Sequence, residues 1–161
     1  MNNSYQAIMV APFARIGLRM VGAAVSALDY LPADAPEQPP TDAATAQVVE
    51  QLQTYFRDPR TLFTVLLTGQ GTPFQQRVWV ALRAISPGTV LTYGELARQL
   101  GTAARAVGGA CRANPVPILI PCHRVVGQHG LGGYTGAVTG DPLGIKRWLL
   151  RHEGVEIPSA P

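Results

Sequence analysis

Residues 118–126 read Ile-Leu-Ile-Pro-Cys-His-Arg-Val-Val, an apolar run that ends in proline and delivers Cys122 with His123 directly after it. A thiol attacks only as its thiolate, and burial alone raises its pKa. A cysteine approached through apolar residues therefore needs a base nearby before its sulfur becomes a nucleophile. His123 is the base that this spacing offers. The competing reading of Cys122 is an inert buried cysteine, which is how most free cysteines behave. The distribution of reactive residues weighs against that reading: residues 1–110 contain no cysteine and no histidine, and His123, His129 and His152 all follow Cys111. The potential chemistry is gathered in the last third of the chain.

The elements that must position this pair belong to a chain of 161 residues, 47% hydrophobic, long enough to bury a core as one domain or two small ones. Its longest apolar runs fall short of the roughly 18 residues of a membrane span, and the N-terminus shows no basic-then-apolar leader. Two cysteines do not make a disulfide scaffold, and the spacing of Cys111 and Cys122 is not that of a paired zinc motif. The expectation is an intracellular protein with reduced thiols. Net charge is +3, unevenly divided at the Gly-Gln-Gly-Thr-Pro segment that begins at Gly69. Residues 1–69 carry four arginines against six acidic residues, a net −2; residues 70–161 carry nine basic against four acidic, a net +5. The basic excess accompanies the thiol and fits a phosphate-bearing partner, although a modest excess also describes an ordinary solvated face.

Short β-prone runs over residues 5–10, 16–21 and 24–31 predict a small antiparallel meander. Residues 32–45, rich in Pro, Asp, Ala and Thr, read as an exposed loop. Val48, Val49, Leu52, Tyr55 and Phe56 then fall at helical spacing, and a strand over 62–67 would close this first unit. In the second unit, Phe74, Val78, Ala81, Leu82 and Ile85 form one stripe of a helix over 74–85 that Ser-Pro-Gly stops. Thr92 and Glu95 make a capping box for a helix running to Leu100; Gly101 ends it, and Thr102 is placed to cap the next, running to about Arg112. Helix, glycine turn, helix is a pattern shared by DNA-binding pairs and by many helical hairpins that bind nothing. The second helix is nearly all small residues around one long cation, Arg105. Adjacent glycines at 108 and 109 cost roughly 1 kcal/mol each in a helix, so something must approach closely, either a packed helix or a nucleic-acid backbone. A last helix is expected over 143–152.

Taken together, Ala104-Arg-Ala-Val-Gly-Gly109, Arg112-x-Asn114-Pro-x-Pro117, Pro121-Cys-His-Arg-Val125 and His152-Glu153-Gly154 resemble the O6-alkylguanine-DNA alkyltransferases over residues 72–155. The resemblance implies a mixed α/β (α+β) chain: a small N-terminal antiparallel-sheet domain, ribonuclease H-like, over 1–69, then a winged helix-turn-helix-like domain for DNA binding and transfer over 70–161. It implies a repair protein that moves an alkyl group from O6 of guanine, or O4 of thymine, onto its own Cys122, once and irreversibly, without cofactor. His123 would take the thiol proton through a water and Glu153 would hold the imidazole. Asn114 would bond backbone at the hinge before the active-site segment. Tyr93 would donate to the guanine ring, and Pro117, Val125, Tyr134 and Thr135 would line the pocket, with the Val125 carbonyl toward the guanine amine and the Thr135 amide near its oxygen.

By the same resemblance the partner is double-stranded DNA carrying O6-alkylguanine, bound through the minor groove by a monomer, with cooperativity along the duplex left open. Arg105 would fill the space of the extruded base, at a flipping cost of a few kcal/mol, and Thr92, Ala104, Gly108 and Arg112 would contact the backbone. The protein would be cytoplasmic, at the nucleoid in a prokaryote, with no membrane partner. One departure is the segment over 135–142, several residues longer than the family's glycine-rich loop. The zinc held by some members is not expected, because residues 1–69 offer no Cys or His. Two other readings are a damage-binding module without transfer chemistry, which the presence of Cys122 opposes, and a thiol hydrolase, for which adjacent Cys and His are unusual.

Overall fold

The computed structural model describes residues 4–133 and 142–156, so Tyr134, Thr135 and most of the lengthened 135–142 segment lie outside the described residues. The chain divides into two compact units that meet in sequence at Gln70 and Gly71.

In the first unit, β1 (Ala7–Val10), β2 (Arg15–Val21) and β3 (Ala24–Leu31) form an antiparallel sheet in that order. The register pairs Met9 with Ile16 and Ile16 with Tyr30, so alternate residues Ala7, Met9, Ile16, Leu18, Leu28 and Tyr30 turn to one buried face. Helix α1 (Ala43–Arg57) supplies Val48, Val49, Leu52 and Tyr55 as its own buried stripe. The predicted loop over 32–45 ends early, because the Asp42 carboxylate accepts from the Thr45 amide at 2.8 Å and starts the helix at Ala43. The strand expected over 62–67 does not form. One bridge, Val25 to Leu67, is made there, while the Gln51 side chain from α1 takes both the Thr64 amide (2.9 Å) and its hydroxyl (2.8 Å). Leu62 and Leu66 are 77% and 64% exposed, while the alternate residues Phe63, Val65 and Leu67 are half-buried and the Phe63 ring lies 5.5 Å from that of Tyr55.

In the second unit, α2 (Pro73–Arg83) opens on a capping box between Thr72 and Gln75. Its stripe of Val78, Trp79 and Leu82 is buried, and the helix stops at Ala84, short of the predicted Ile85. The Trp79 indole donates to the Ala110 carbonyl at 2.9 Å, fastening α2 to α4 (Ala104–Arg112). Between them lies α3 (Tyr93–Leu100), capped by Thr92 and Glu95 as the sequence predicts and ended by Gly101 at φ +69°. Thr102 does not cap α4: its amide donates to the Ala97 carbonyl, closing the end of α3, and Ala103 is the N-cap without a side-chain bond. A two-residue parallel pairing of β4 (Leu91–Thr92) with β5 (Val125–Val126) joins the start of α3 to the segment that carries Cys122. Helix α5 (Pro142–His152) completes the unit.

Candidate active site

Cys122 begins a single 3-10 turn, Cys122–Arg124, at the end of a buried stretch in which Ile118 holds φ +75°. That conformation is rare for a β-branched residue and needs its surroundings to fix it. Asn114 does so, donating from Nδ2 to the Ile120 carbonyl at 2.8 Å and accepting the Val116 amide on Oδ1 at 3.0 Å. The turn between them therefore has its ends fastened by one buried side chain, two residues before the cysteine.

The turn points its three side chains into different surroundings. Cys122, 3% exposed, forms part of the wall of a cavity of about 350 Å³ with Tyr93, Cys111 and Gly133. Ala104, Arg105, Gly108 and Arg112 of α4, the helix that also carries Cys111, line it too. Among the described residues, a Cβ added at Gly108 or Gly109 would meet nothing within 4 Å. His123 is fully buried; its Nε2 lies 2.8 Å from Glu153 Oε2, and its Nδ1 meets no hydrogen-bond partner among the described residues. A carboxylate partner fixes the proton on Nε2 and leaves the lone pair on Nδ1. Arg124 forks onto the same carboxylate, Nε to Oε1 and Nη2 to Oε2, both at 2.9 Å, and donates from Nη1 to the Ile85 carbonyl at 2.6 Å.

Burial pushes the Cys122 thiol up to about 11, with Asn114 and Lys146 working weakly the other way. Burial also holds His123 below the usual imidazole range despite Glu153. Both shifts have one main cause: each group is desolvated, so burial disfavours the thiolate and the imidazolium alike. Glu153 is held well below the ordinary carboxylate range by His123 and Arg124, which outweigh its own burial.

Residues 73–155 match the family described as 6-O-methylguanine DNA methyltransferase, DNA binding domain. The chain belongs to this family. A methylated-DNA–protein-cysteine methyltransferase of Mycobacterium tuberculosis is 46% identical over 123 residues, covering 74% of this chain and 72% of that protein. One from Salmonella typhimurium is 52% identical over 109 residues, 65% of this chain but 61% of its own length. A crystal structure of the M. tuberculosis O6-methylguanine methyltransferase superposes with TM-score 0.78 at 36% identity, covering 98% and 97% of the two chains. An M. tuberculosis OGT in complex with DNA superposes at 0.77 and 39% identity, covering 91% and 90%.

Set beside the family's expected site, Cys122, Tyr93, Ala104, Arg105, Gly108 and Arg112 share one cavity, while His123 pairs with Glu153 and Asn114 holds the segment before Cys122. Two expected lining residues do not join them. Pro117 is buried in the Ile118 turn, bridged to Ile120, and the Val125 carbonyl is taken by Lys146 Nζ at 2.8 Å. Thr92 spends its hydroxyl on the α3 cap. Arg124 and Lys146 are the residues that sequence reasoning missed. Lys146 is fully buried and also donates to Leu131 and Gly133 (2.6 and 2.7 Å), which ties the segment before Tyr134 to the active-site strand. Burial lowers its pKa to about 8. A lysine at an apolar position of α5 was the available signal.

Proposed function

We propose that this chain repairs DNA by transferring the alkyl group of O6-alkylguanine, or of O4-alkylthymine, to Cys122, one transfer per protein molecule. The supporting observation is a buried thiol in the wall of a cavity bounded by the smooth face of α4, with a neutral imidazole held by a carboxylate behind it. The extruded base enters the cavity, the thiol proton passes through a water to His123 Nδ1, and sulfur attacks the alkyl carbon as its bond to oxygen breaks. Glu153 stabilises the imidazolium that forms. The Tyr93 hydroxyl, raised by burial to about 12, stays protonated and donates to the departing guanine. The product is a thioether, which water does not cleave, so the acceptor is consumed.

Duplex DNA is the partner in this reading, met in the minor groove by α4, with Arg105 filling the space left by the base. Residues 70–161 act as a winged helix-turn-helix domain, residues 1–69 as a ribonuclease H-like structural domain, and the protein works as a cytoplasmic monomer. A duplex with one O6-methylguanine tests the reaction: guanine should be restored in amounts that saturate with protein, and Cys122→Ala should abolish restoration while keeping duplex binding. Restoration by the Cys122→Ala variant would overturn the assignment.

A further inference from the structure

The chain has twelve arginines and one lysine, Lys146, which has no exposure to water. From α5 its Nζ donates to three carbonyl oxygens, those of Val125 at 2.8 Å, Leu131 at 2.6 Å and Gly133 at 2.7 Å. An ammonium carries three N–H donors on one atom, so donors and acceptors match in number. A guanidinium spreads its five donors over a flat fork and does not meet three converging oxygens from one point. The position calls for lysine in a chain that otherwise uses arginine. Two of the three carbonyls belong to a segment with little else to hold it. Among the described residues, residues 128–133 make no backbone–backbone hydrogen bond. The Tyr93 hydroxyl adds one long bond, 3.4 Å to the Gly133 carbonyl. Gly132, at φ +72°, sits so close to Tyr93 that a Cβ there would stand 2.9 Å from the ring. Gly133 lines the cavity together with Cys122.

We propose that Lys146 is a positioning residue: its ammonium clamps Leu131 and Gly133 to β5, and loss of its proton releases that wall of the cavity. A neutral amine keeps two N–H groups and turns a lone pair toward the third carbonyl, so the set of oxygens that suits the ammonium repels the amine. Burial brings proton loss within reach by lowering the lysine to about 8, while charge on Cys122 and Cys111 acts the other way. The titratable groups whose charge it meets are Cys122 and His123 on the 3-10 turn, Cys111 on α4 and Tyr93 on α3; His129, on the clamped segment, is exposed. Burial raises both thiols and the phenol to about 11 or 12 and lowers His123, so among these five groups the lysine is the one that changes charge from about pH 7 to 9. A released wall would hold an extruded base less firmly. That consequence rests on the transfer reading; the clamp does not.

Because the chain has a single lysine, protein labelled with 13C-lysine gives one ε-carbon resonance, whose shift with pH reports the Lys146 proton directly. The clamp predicts nuclear Overhauser contacts between the Gly132 α-protons and the Tyr93 ring at neutral pH. They should fade with the lysine's own midpoint, to about one tenth of their strength one pH unit above it. In Lys146→Met, with no proton to lose, they should be weak at every pH and show no step. Contacts that persist while Lys146 loses its proton, or a lysine still protonated at pH 11, would overturn the proposal. Both are read on the unsubstituted chain, so the result stands even where the variant fails to fold. Methyl transfer from duplex is a separate readout: its rate should drop above the lysine's midpoint and show no such drop in Lys146→Met. Absence of transfer at every pH would remove the transfer reading and leave the clamp intact.

Discussion

Glu153 carries the site's charge balance, since its two oxygens serve His123 and Arg124 together in a space where the side chain has no exposure to water. Removing one partner of such a buried set leaves the other charge unpaired, at about 3–5 kcal/mol. Glu153→Gln should lower unfolding free energy in urea by that order and slow transfer as well. The pH dependence has a definite sign. Because the folded carboxyl lies below its unfolded value near 4.5, the contribution is full above that pH and is lost as the solution becomes more acid. Urea midpoints between pH 6 and 3 should fall less in Glu153→Gln than in the parent chain. The thiol gives a second test at this scale. With Cys122 held near 11, carbamidomethylation by iodoacetamide should rise about tenfold per pH unit from 7 to 10. A plateau near neutrality would show a thiolate already present there and contradict the raised pKa.

At the scale of elements, the local signals were legible and the distant ones were not. The Thr92–Glu95 box and the Gly101 stop act within a few residues, so the start and end of α3 follow from sequence. The motifs around Cys122, Arg105 and Glu153 are likewise short and marked the candidate site, in which Cys122 and Arg105 line one cavity. Thr102 misled because its amide was claimed by the preceding helix, and the 62–67 strand because Gln51, 13 residues away, took the Thr64 groups. Arg124 and Lys146 find partners up to 39 and 21 residues distant, which no local pattern encodes. The glycines of α4 had two readings, and among the described residues nothing fills the space over Gly108, which fits the one in which a ligand approaches. Gly108→Ala should raise thermal stability by up to about 1 kcal/mol. Gly108→Leu should keep the fold and weaken duplex binding, measured by fluorescence anisotropy; unchanged binding would remove α4 from the interface.

Across the whole molecule, charge is sorted: the net −2 of residues 1–69 stands against the net +5 of residues 70–161 that carry the cavity. If duplex DNA is met through phosphates, affinity for undamaged duplex should fall steeply from about 50 to 200 mM salt as counterions are released less favourably. Arg105→Ala should slow repair of duplex more than repair of single strands, where no stacked neighbour must be parted from the base. Equal slowing on both would deny it the role of filling the vacated space. Among the described residues no helix is long and apolar enough to cross a membrane. The most direct measurement is the mass of the proteolytic peptides after reaction with duplex containing O6-methylguanine. Transfer predicts one methyl group on the peptide with Cys122, none on that with Cys111, and saturation at one per chain. A restored base beside an unmodified Cys122 would contradict it.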